Sequence, residues 1–426
     1  MSRYKVAIYT LGCKVNQYES DSIGNELSKL GYEIVSFSEY ADVYLVNTCA
    51  VTNMAERKSR QIIHRAKKLN PKGIVVAMGC YVQAVKEELL SDIGIDIIIG
   101  NNRKKDVPRI IKEYLENNNI TDNIIDINNT CEYEELHLDK PIEHCRAYVK
   151  VQDGCNNFCT YCIIPYTRGR IRSRNIKNVL DEIKGLVKNN IKEVVLTGIN
   201  LSSYFDDSSN TLLDLLLAVA DIEGVERVRM GSLEPRIITD EFLTAISKNE
   251  KICPHFHLSL QSACNATLTR MNRKYTIEEY IEKCELIRKY YDRPAITTDV
   301  IVGFPGETDE EFEETRNNLQ ILKLYEMHIF KYSKRDGTIA ANMENQIPED
   351  IKEKRSNILL ELARKNKNEF ENTFANEKVK VLVEQVEEKN EKCFIKGHTD
   401  RYILVRKEYE RGVAYSMVNE IVDMKI

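Results

Sequence analysis

No stretch of this 426-residue chain approaches the roughly 18 apolar residues in a row that a membrane-spanning helix needs. The opening MSRYKVAIYTLGC holds only a short apolar run, which reads as a strand and not as a secretion signal. The expected location is therefore the cytoplasm, with no membrane partner. Positive charge is not in surplus: 61 Lys and Arg face 66 Asp and Glu, a formal net charge of −5. That excludes a protein-wide cationic field, so any nucleic-acid contact has to be a local basic patch. The seven histidines are scattered. His255 and His257 share one side of a strand without a nearby carboxylate partner, and no catalytic dyad of His or carboxylates is apparent. Cysteine, by contrast, is abundant. Twelve are many for a reducing compartment, where clustered thiols read as metal ligands or redox groups.

The length suggests two or three domains. Over residues 1–115, short β-branched runs at Val6–Thr10, Val43–Asn47, Ile74–Met78 and Ile97–Ile99 alternate with helical patterns at Glu19–Leu30 and Ala55–Leu69. Such alternation predicts an open parallel sheet covered by helices. Residues 116–145 lose periodicity, are rich in Asn and acids, and read as a linker.

A second α/β series spans 146–372, with strands expected at Ala147–Gln152, Glu193–Thr197, Arg227–Gly231, Phe256–Gln261, Ile296–Val302 and Met327–Tyr332. Thr276-Ile-Glu-Glu279 and Thr308-Asp-Glu-Glu311 are capping boxes that start two of its helices. Six strands fall short of the eight that close a barrel, so a partial β/α barrel is expected. A long helix follows from Pro348 to about Phe374. Residues 373–426 then read as a small all-β barrel with strands at Val379–Val383, Cys393–Lys396, Tyr402–Arg406 and Val413–Val418.

Cys155, Cys159 and Cys162 form CNNFCTYC, a CxxxCxxC pattern directly after the first barrel strand. Three thiolates from one loop can bind three irons of a cubane cluster and leave the fourth without a protein ligand. The alternative is a structural zinc site, which normally closes with four ligands; Cys145 lies ten residues back, before the strand. Strand-end loops lie on the carboxyl face, where barrels keep their chemistry. Tyr161 stands between two of these cysteines, either beside a cofactor or as a buried aromatic.

Cys13, Cys49 and Cys80 share no local spacing, yet each follows a strand: YTLGC, VNTC and AMGC. Strands of a parallel sheet end on one edge, where open α/β sheets bind ligands. Neighbouring strands are about 4.8 Å apart, so these thiols can converge. Burial as three small hydrophobes is the alternative. Cys131, Cys145, Cys253, Cys264, Cys284 and Cys393 are expected to be structural.

CxxxCxxC in a six-stranded β/α series resembles the radical S-adenosylmethionine superfamily, whose open iron binds the cofactor's amino and carboxylate groups. LTGIN (Leu196–Asn200), GSLEP (Gly231–Pro235) and TDVIVGFPGET (Thr298–Thr308) match its further motifs in order. The resemblance implies that Tyr161, Gly198, Asn200, Ser232, Glu234 and Gly303 border S-adenosylmethionine. GCKVNQYES (Gly12–Ser20), NTCAVT (Asn47–Thr52) and MGC (Met78–Cys80) look like the N-terminal domain of the methylthiotransferase family. There, three cysteines matching Cys13, Cys49 and Cys80 hold a second 4Fe–4S cluster. The ending resembles the TRAM module, a small RNA-binding β-barrel.

The family adds a methylthio group to carbon 2 of an adenine or to an aspartate β-carbon, C–H bonds too weakly acidic for a side-chain base. A cofactor radical can activate such bonds. The resemblance implies two 4Fe–4S clusters, S-adenosylmethionine, a sulfur donor and an electron donor of flavodoxin or ferredoxin type. GCKVNQYES, TCAVTNMAERKSRQ and PYTRGRIRSR are similar to the branch acting on N6-threonylcarbamoyladenosine beside the tRNA anticodon. The isopentenyladenosine branch usually has Met where Val15 stands, and the ribosomal-aspartate branch has Pro-Lys at Lys14-Val15.

Arg168, Arg170, Arg172 and Arg174 alternate, so an extended backbone would aim all four to one side, as a basic row for a phosphate backbone or as a set of salt bridges. The terminal module carries ten cations against ten acids. Two rivals remain. A cobalamin-dependent radical methyltransferase usually carries DxHxxG, which is missing here. An RNA-binding protein with a structural or redox-sensing cluster would produce no 5′-deoxyadenosine.

Overall fold

The computed structural model describes residues 4–85, 94–117, 122–142, 145–390 and 392–426. Positions 118–121 and 143–144 of the expected linker lie outside the described residues. In the first unit, β1 (Lys5–Thr10), β2 (Glu33–Val35), β3 (Val43–Thr48), β4 (Ile74–Gly79), β5 (Ile97–Ile99) and β6 (Asp122–Asn123) make one parallel sheet, ordered β2-β1-β3-β4-β5-β6. Sequence periodicity marks four of these strands. It misses β2 and β6, which lack the unbroken β-branched run that marks the similarly short β5.

β3 is buried throughout because both sheet faces are covered. Val43 and Leu45 pack with Ile23 and Leu27 of α1 (Lys14–Lys29), while Tyr44 and Val46 pack with Ile62, Ile63 and Ala66 of α2 (Asn53–Leu69). α1 begins five residues before the expected Glu19, because Val15 and Tyr18 extend its buried stripe. The strand order reverses between β1 and β3, which opens a crevice at their carboxyl ends.

The second unit holds the six expected barrel strands and three short additions. β7 (Arg146–Lys150) is followed by β8 (Gln152–Asp153), which pairs antiparallel with β9 (Arg172–Ser173). β10 (Glu193–Thr197), β11 (Arg227–Met230), β12 (Ser232–Leu233), β13 (His255–Leu258), β14 (Ala295–Val302) and β15 (Glu326–Lys331) complete it. They form two parallel sheets, β11-β10-β7 and β12-β13-β14-β15, connected by a bridge between Val228 and Ile252. Among the described residues nothing pairs β7 with β15, so the barrel is open on one side. Both expected capping boxes form, and Thr211 with Asp214 makes a third.

A helix from Glu349 to Asn372 leads to β16 (Lys378–Lys389), β17 (Lys392–Thr399), β18 (Leu404–Tyr409) and β19 (Ile421–Lys425), an antiparallel sheet curled by a bulge between Val383 and Gln385. The strand expected at Val413–Val418 is instead a helix, Arg411–Ser416, and β19 closes the chain. The apolar alternation there is misleading. Val413 and Tyr415 face solvent, whereas Ala414 and Met417, three residues apart, meet the core.

This sheet docks on the amino-terminal mouth of the barrel. Arg227 donates to the carbonyls of Lys380 and His398, and Arg229 to those of Thr399 and Asp400. Tyr402 stacks on His398 and His255, with the Arg146 and Arg229 guanidinium groups about its ring. The carboxyl mouth is left to the N-terminal unit.

Candidate functional site

β1, β3 and β4 are adjacent strands, and Cys13, Cys49 and Cys80 follow them within three residues. Cys13 caps α1 without a side-chain hydrogen bond, and Cys80 opens a short helix (Cys80–Ala84). The backbone is built for close approach. Gly12 has φ +97°, and a Cβ there would lie 2.9 Å from both Cys49 Cβ and Sγ. Gly79, at φ +101°, would drive a Cβ to 2.6 Å from Asn47 Oδ1. Only glycine accepts both the conformation and the space.

The three thiols sense one another. Burial pushes the Cys49 thiol up to about 12, with Cys80 and then Cys13 adding to the rise. Burial also raises Cys13, against the pull of Arg168. Cys13 nevertheless keeps open surface.

The second triad lies on the loop after β8. Cys155 N–H donates to Gly169 O, and Cys162 N–H to Cys159 O. Burial, then the neighbouring Cys159, pushes the Cys162 thiol up to about 12. Arg273 Nη1 donates to Cys159 Sγ at 3.2 Å, while its Nη2 reaches Glu234 Oε1 and Ser259 O. Asn157 Nδ2 donates to the same Glu234 oxygen. Arg273 leaves no trace in the sequence, being one cation in an undistinguished MNRKY.

Both triads fit a cubane better than a single ion. Among the described residues, the one set of three ligand-type side chains with atoms all within 4.8 Å is His257, Asp299 and His328. The sulfurs of neither triad are that close, whereas zinc–sulfur bonds of about 2.3 Å would hold them roughly 3.8 Å apart. His257 has the carboxylate partner that the sequence concealed, with Nε2 3.4 Å from Asp299.

The remaining expected cofactor residues gather on the carboxyl edge of the barrel. Gly198 and Asn200 follow β10, and Asn200 N–H donates to Gln152 Oε1. A Cβ on Gly198 would lie 2.9 Å from that same oxygen. Ser232 and Glu234 follow β11, and Gly303 follows β14 at φ +69°, donating its N–H to Glu307. Tyr161 packs edge-on against Phe304 and keeps part of its surface open.

The arginine row needs correction. Arg168, Arg172 and Arg174 are buried, with relative exposures of 0%, 3% and 2%, and cannot meet a phosphate backbone. Arg168 pairs with Glu19 and Asp153, Arg172 approaches Asp153, and Arg174 pairs with Glu182 and Glu135. Arg170 lies over the Phe158 ring and donates to Pro165 O. Acids on α1, β8 and the Ile176–Lys188 helix decide the matter, and no local pattern announces them. Lys104 and Lys150 also converge on Glu19, so buried charge joins the N-terminal unit to the barrel. Of the cysteines expected to be structural, Cys253, Cys264, Cys284 and Cys393 are buried, while Cys131 is exposed and Cys145 half-buried.

Between the two units opens a cleft of about 750 Å³. Tyr81, next to Cys80, and Ile163, next to Cys162, both line it, together with Asn53, Arg60, Tyr166 and Arg335. The loops of both triads therefore border one space.

Residues 5–100 match the Uncharacterized protein family UPF0004, and residues 149–319 match the Radical SAM superfamily. The chain is 40% identical over 425 residues to the threonylcarbamoyladenosine tRNA methylthiotransferase MtaB of Bacillus subtilis, covering 99% of this chain and 93% of that protein. The protein of that name from Aquifex aeolicus is 42% identical over 404 residues, 95% and 97% of the two chains. A solved structure of the radical S-adenosylmethionine methyltransferase TsrM from Kitasatospora setae superposes with a TM-score of 0.56 over 78% of this chain and 75% of its own, at 15% identity, a likeness of fold alone. Identity of this level along nearly the whole length settles the relationship: the chain belongs to the radical S-adenosylmethionine methylthiotransferase family.

Proposed function

We propose that this protein adds a methylthio group to carbon 2 of N6-threonylcarbamoyladenosine next to the tRNA anticodon. The observation that carries the reading is the shared cleft, bordered by Tyr81 from one thiol loop and Ile163 from the other. Relatives at 40% and 42% identity are threonylcarbamoyladenosine tRNA methylthiotransferases by name, which supplies the base.

In this reading Cys155, Cys159 and Cys162 hold one 4Fe–4S cluster, and Cys13, Cys49 and Cys80 hold the other. The first cluster would bind S-adenosylmethionine at its open iron and supply radical chemistry, while the second would hold sulfur. Arg273 keeps a cationic donor against Cys159 Sγ and so orients one of the three sulfur ligands. Glu234, fixed by Arg273 and Asn157, presents a carboxylate on the edge where the cofactor's polar groups would lie. Gly198, Asn200, Ser232 and Gly303 border the same edge, and Tyr161 shields its flank. An electron donor of flavodoxin or ferredoxin type and a separate sulfur source complete the reaction. Among the described residues no helix is long and apolar enough to cross a membrane, and the substrate RNA puts the work in the cytoplasm.

Nucleoside mass spectrometry of tRNA from a strain lacking this protein tests the reading. The 2-methylthio derivative of N6-threonylcarbamoyladenosine should vanish and return on complementation. Loss of the isopentenyladenosine derivative instead would assign the other tRNA branch. Unchanged tRNA with a modified ribosomal protein would assign the aspartate branch.

A further inference from the structure

With three of the four alternating arginines buried, the RNA needs another cationic surface, and the most basic helix of the described chain provides it. α2 reads NMAERKSRQIIHRAKKL, with six Lys or Arg against the single acid Glu56. Such a surplus is out of character for a chain of net charge −5. The helix Asp309–Leu322, by contrast, carries five acids and one Arg, and Glu349–Asn372 balances six against six.

The charge sits on one side. Ser59, Ile62, Ile63 and Ala66 are buried, whereas Arg57, Lys58, Arg60, Arg65 and Lys68 are exposed. From Arg57 to Lys68 the stripe runs roughly 16 Å along the helix. Among the described residues no carboxylate forms a salt bridge with Arg57, Lys58, Arg65 or Lys68. A stripe held for solubility alone needs no particular location, but this one begins at the cleft. Asn53, Glu56 and Arg60 line the cleft, Arg335 of the barrel pairs with Glu56, and Arg60 donates to the Tyr81 hydroxyl. Beside that mouth stand the exposed apolar side chains Val51, Met54 and Tyr166, suited to contact with unstacked bases.

We propose that the exposed face of α2 is the docking surface for the phosphate backbone of the substrate RNA, leading the target base into the cleft. This rests on the reading of the substrate as tRNA and adds the surface that receives it. The terminal module, with ten cations against ten acids, has no comparable net surplus of positive charge.

The experiment uses the full reconstituted chain and a synthetic anticodon stem-loop RNA carrying N6-threonylcarbamoyladenosine. Affinity is measured by fluorescence anisotropy from 50 to 200 mM salt for wild type, for the Lys58→Glu/Arg65→Glu double variant, and for Lys365→Glu as a control in another exposed helix. Surface substitutions of this kind leave the fold intact. We expect the α2 variant to bind at least about tenfold more weakly, with the slope of log affinity against log salt smaller by about 0.7–0.9 for each phosphate the variant no longer neutralises. The control should keep the wild-type affinity and slope. Wild-type behaviour of the α2 variant, or an equal loss in the control, overturns the docking surface while leaving the RNA substrate intact. Failure of the wild-type protein to bind the stem-loop overturns the RNA reading itself.

Discussion

Arg168 Nε donates to Cys80 Sγ at 3.2 Å, so a cation from the barrel touches a thiol of the N-terminal triad. Its other nitrogens reach Glu19, Asp153 and Asn16 Oδ1. Lys104, Lys150 and Arg168 share the buried carboxylates Glu19 and Asp153, so the contact to Cys80 is part of a larger ion-pair network. The same residue that touches Cys80 also fastens the two units.

Arg168→Met should therefore cost more than a surface arginine would. It removes donors from buried Glu19, Asp153 and Asn16 Oδ1, while Lys104, Lys150 and Arg172 still neutralise the two carboxylates, a loss of about 1–3 kcal/mol. Arg168→Lys retains charge but not the fork of donors and should recover only part. Urea denaturation of the three proteins checks the order, and equal stability would show the network to be dispensable.

Gly12→Ala should damage one cluster site selectively. The added methyl meets Cys49 Sγ at 2.9 Å in a backbone of φ +97°. Iron per reconstituted chain is expected to fall from about eight to about four. Colorimetric iron assay reads this directly.

The two triads should separate by function. Replacing Cys155, Cys159 and Cys162 with Ala is expected to leave one cluster and abolish 5′-deoxyadenosine formation. The corresponding Cys13, Cys49, Cys80 variant should still form 5′-deoxyadenosine yet yield no methylthio product. Chromatography of the reaction mixtures distinguishes them.

Acid should release the terminal module. Glu193 is buried, which alone would raise its pKa, but Arg229, Arg146 and Arg227 overcome this and hold it at about 2. A carboxyl group depressed on folding stabilises the folded state above its unfolded pKa of about 4.3 and loses that contribution as pH falls towards 2. Since Arg227 and Arg229 also grip the module's carbonyls, near-ultraviolet circular dichroism from stacked Tyr402 should change over this window. Glu193→Gln should weaken docking at neutral pH and flatten the acid response.

Much of the site is legible from residues alone. A three-thiol loop carries its chemistry in its spacing, since Cys155, Cys159 and Cys162 are held together by short chain wherever the loop goes. Strand ends at Cys13, Cys49 and Cys80 are legible because parallel strands share an edge. The alternating arginines are not, because their partners Glu19, Asp153 and Glu182 come from separate elements up to 149 residues away. Likewise Val413–Val418 alternates as a strand does, and only the packing of Ala414 and Met417 chooses a helix.

What the sequence determined by itself is the set of candidate ligand thiols and the order of the units, because thiol spacing and strand–helix alternation are local properties of the chain. What tertiary structure decided is which charges remain in water. Burial depends on residues distant in sequence, and it drew Arg168, Arg172 and Arg174 inside while leaving Arg57, Lys58 and Arg65 of α2 outside.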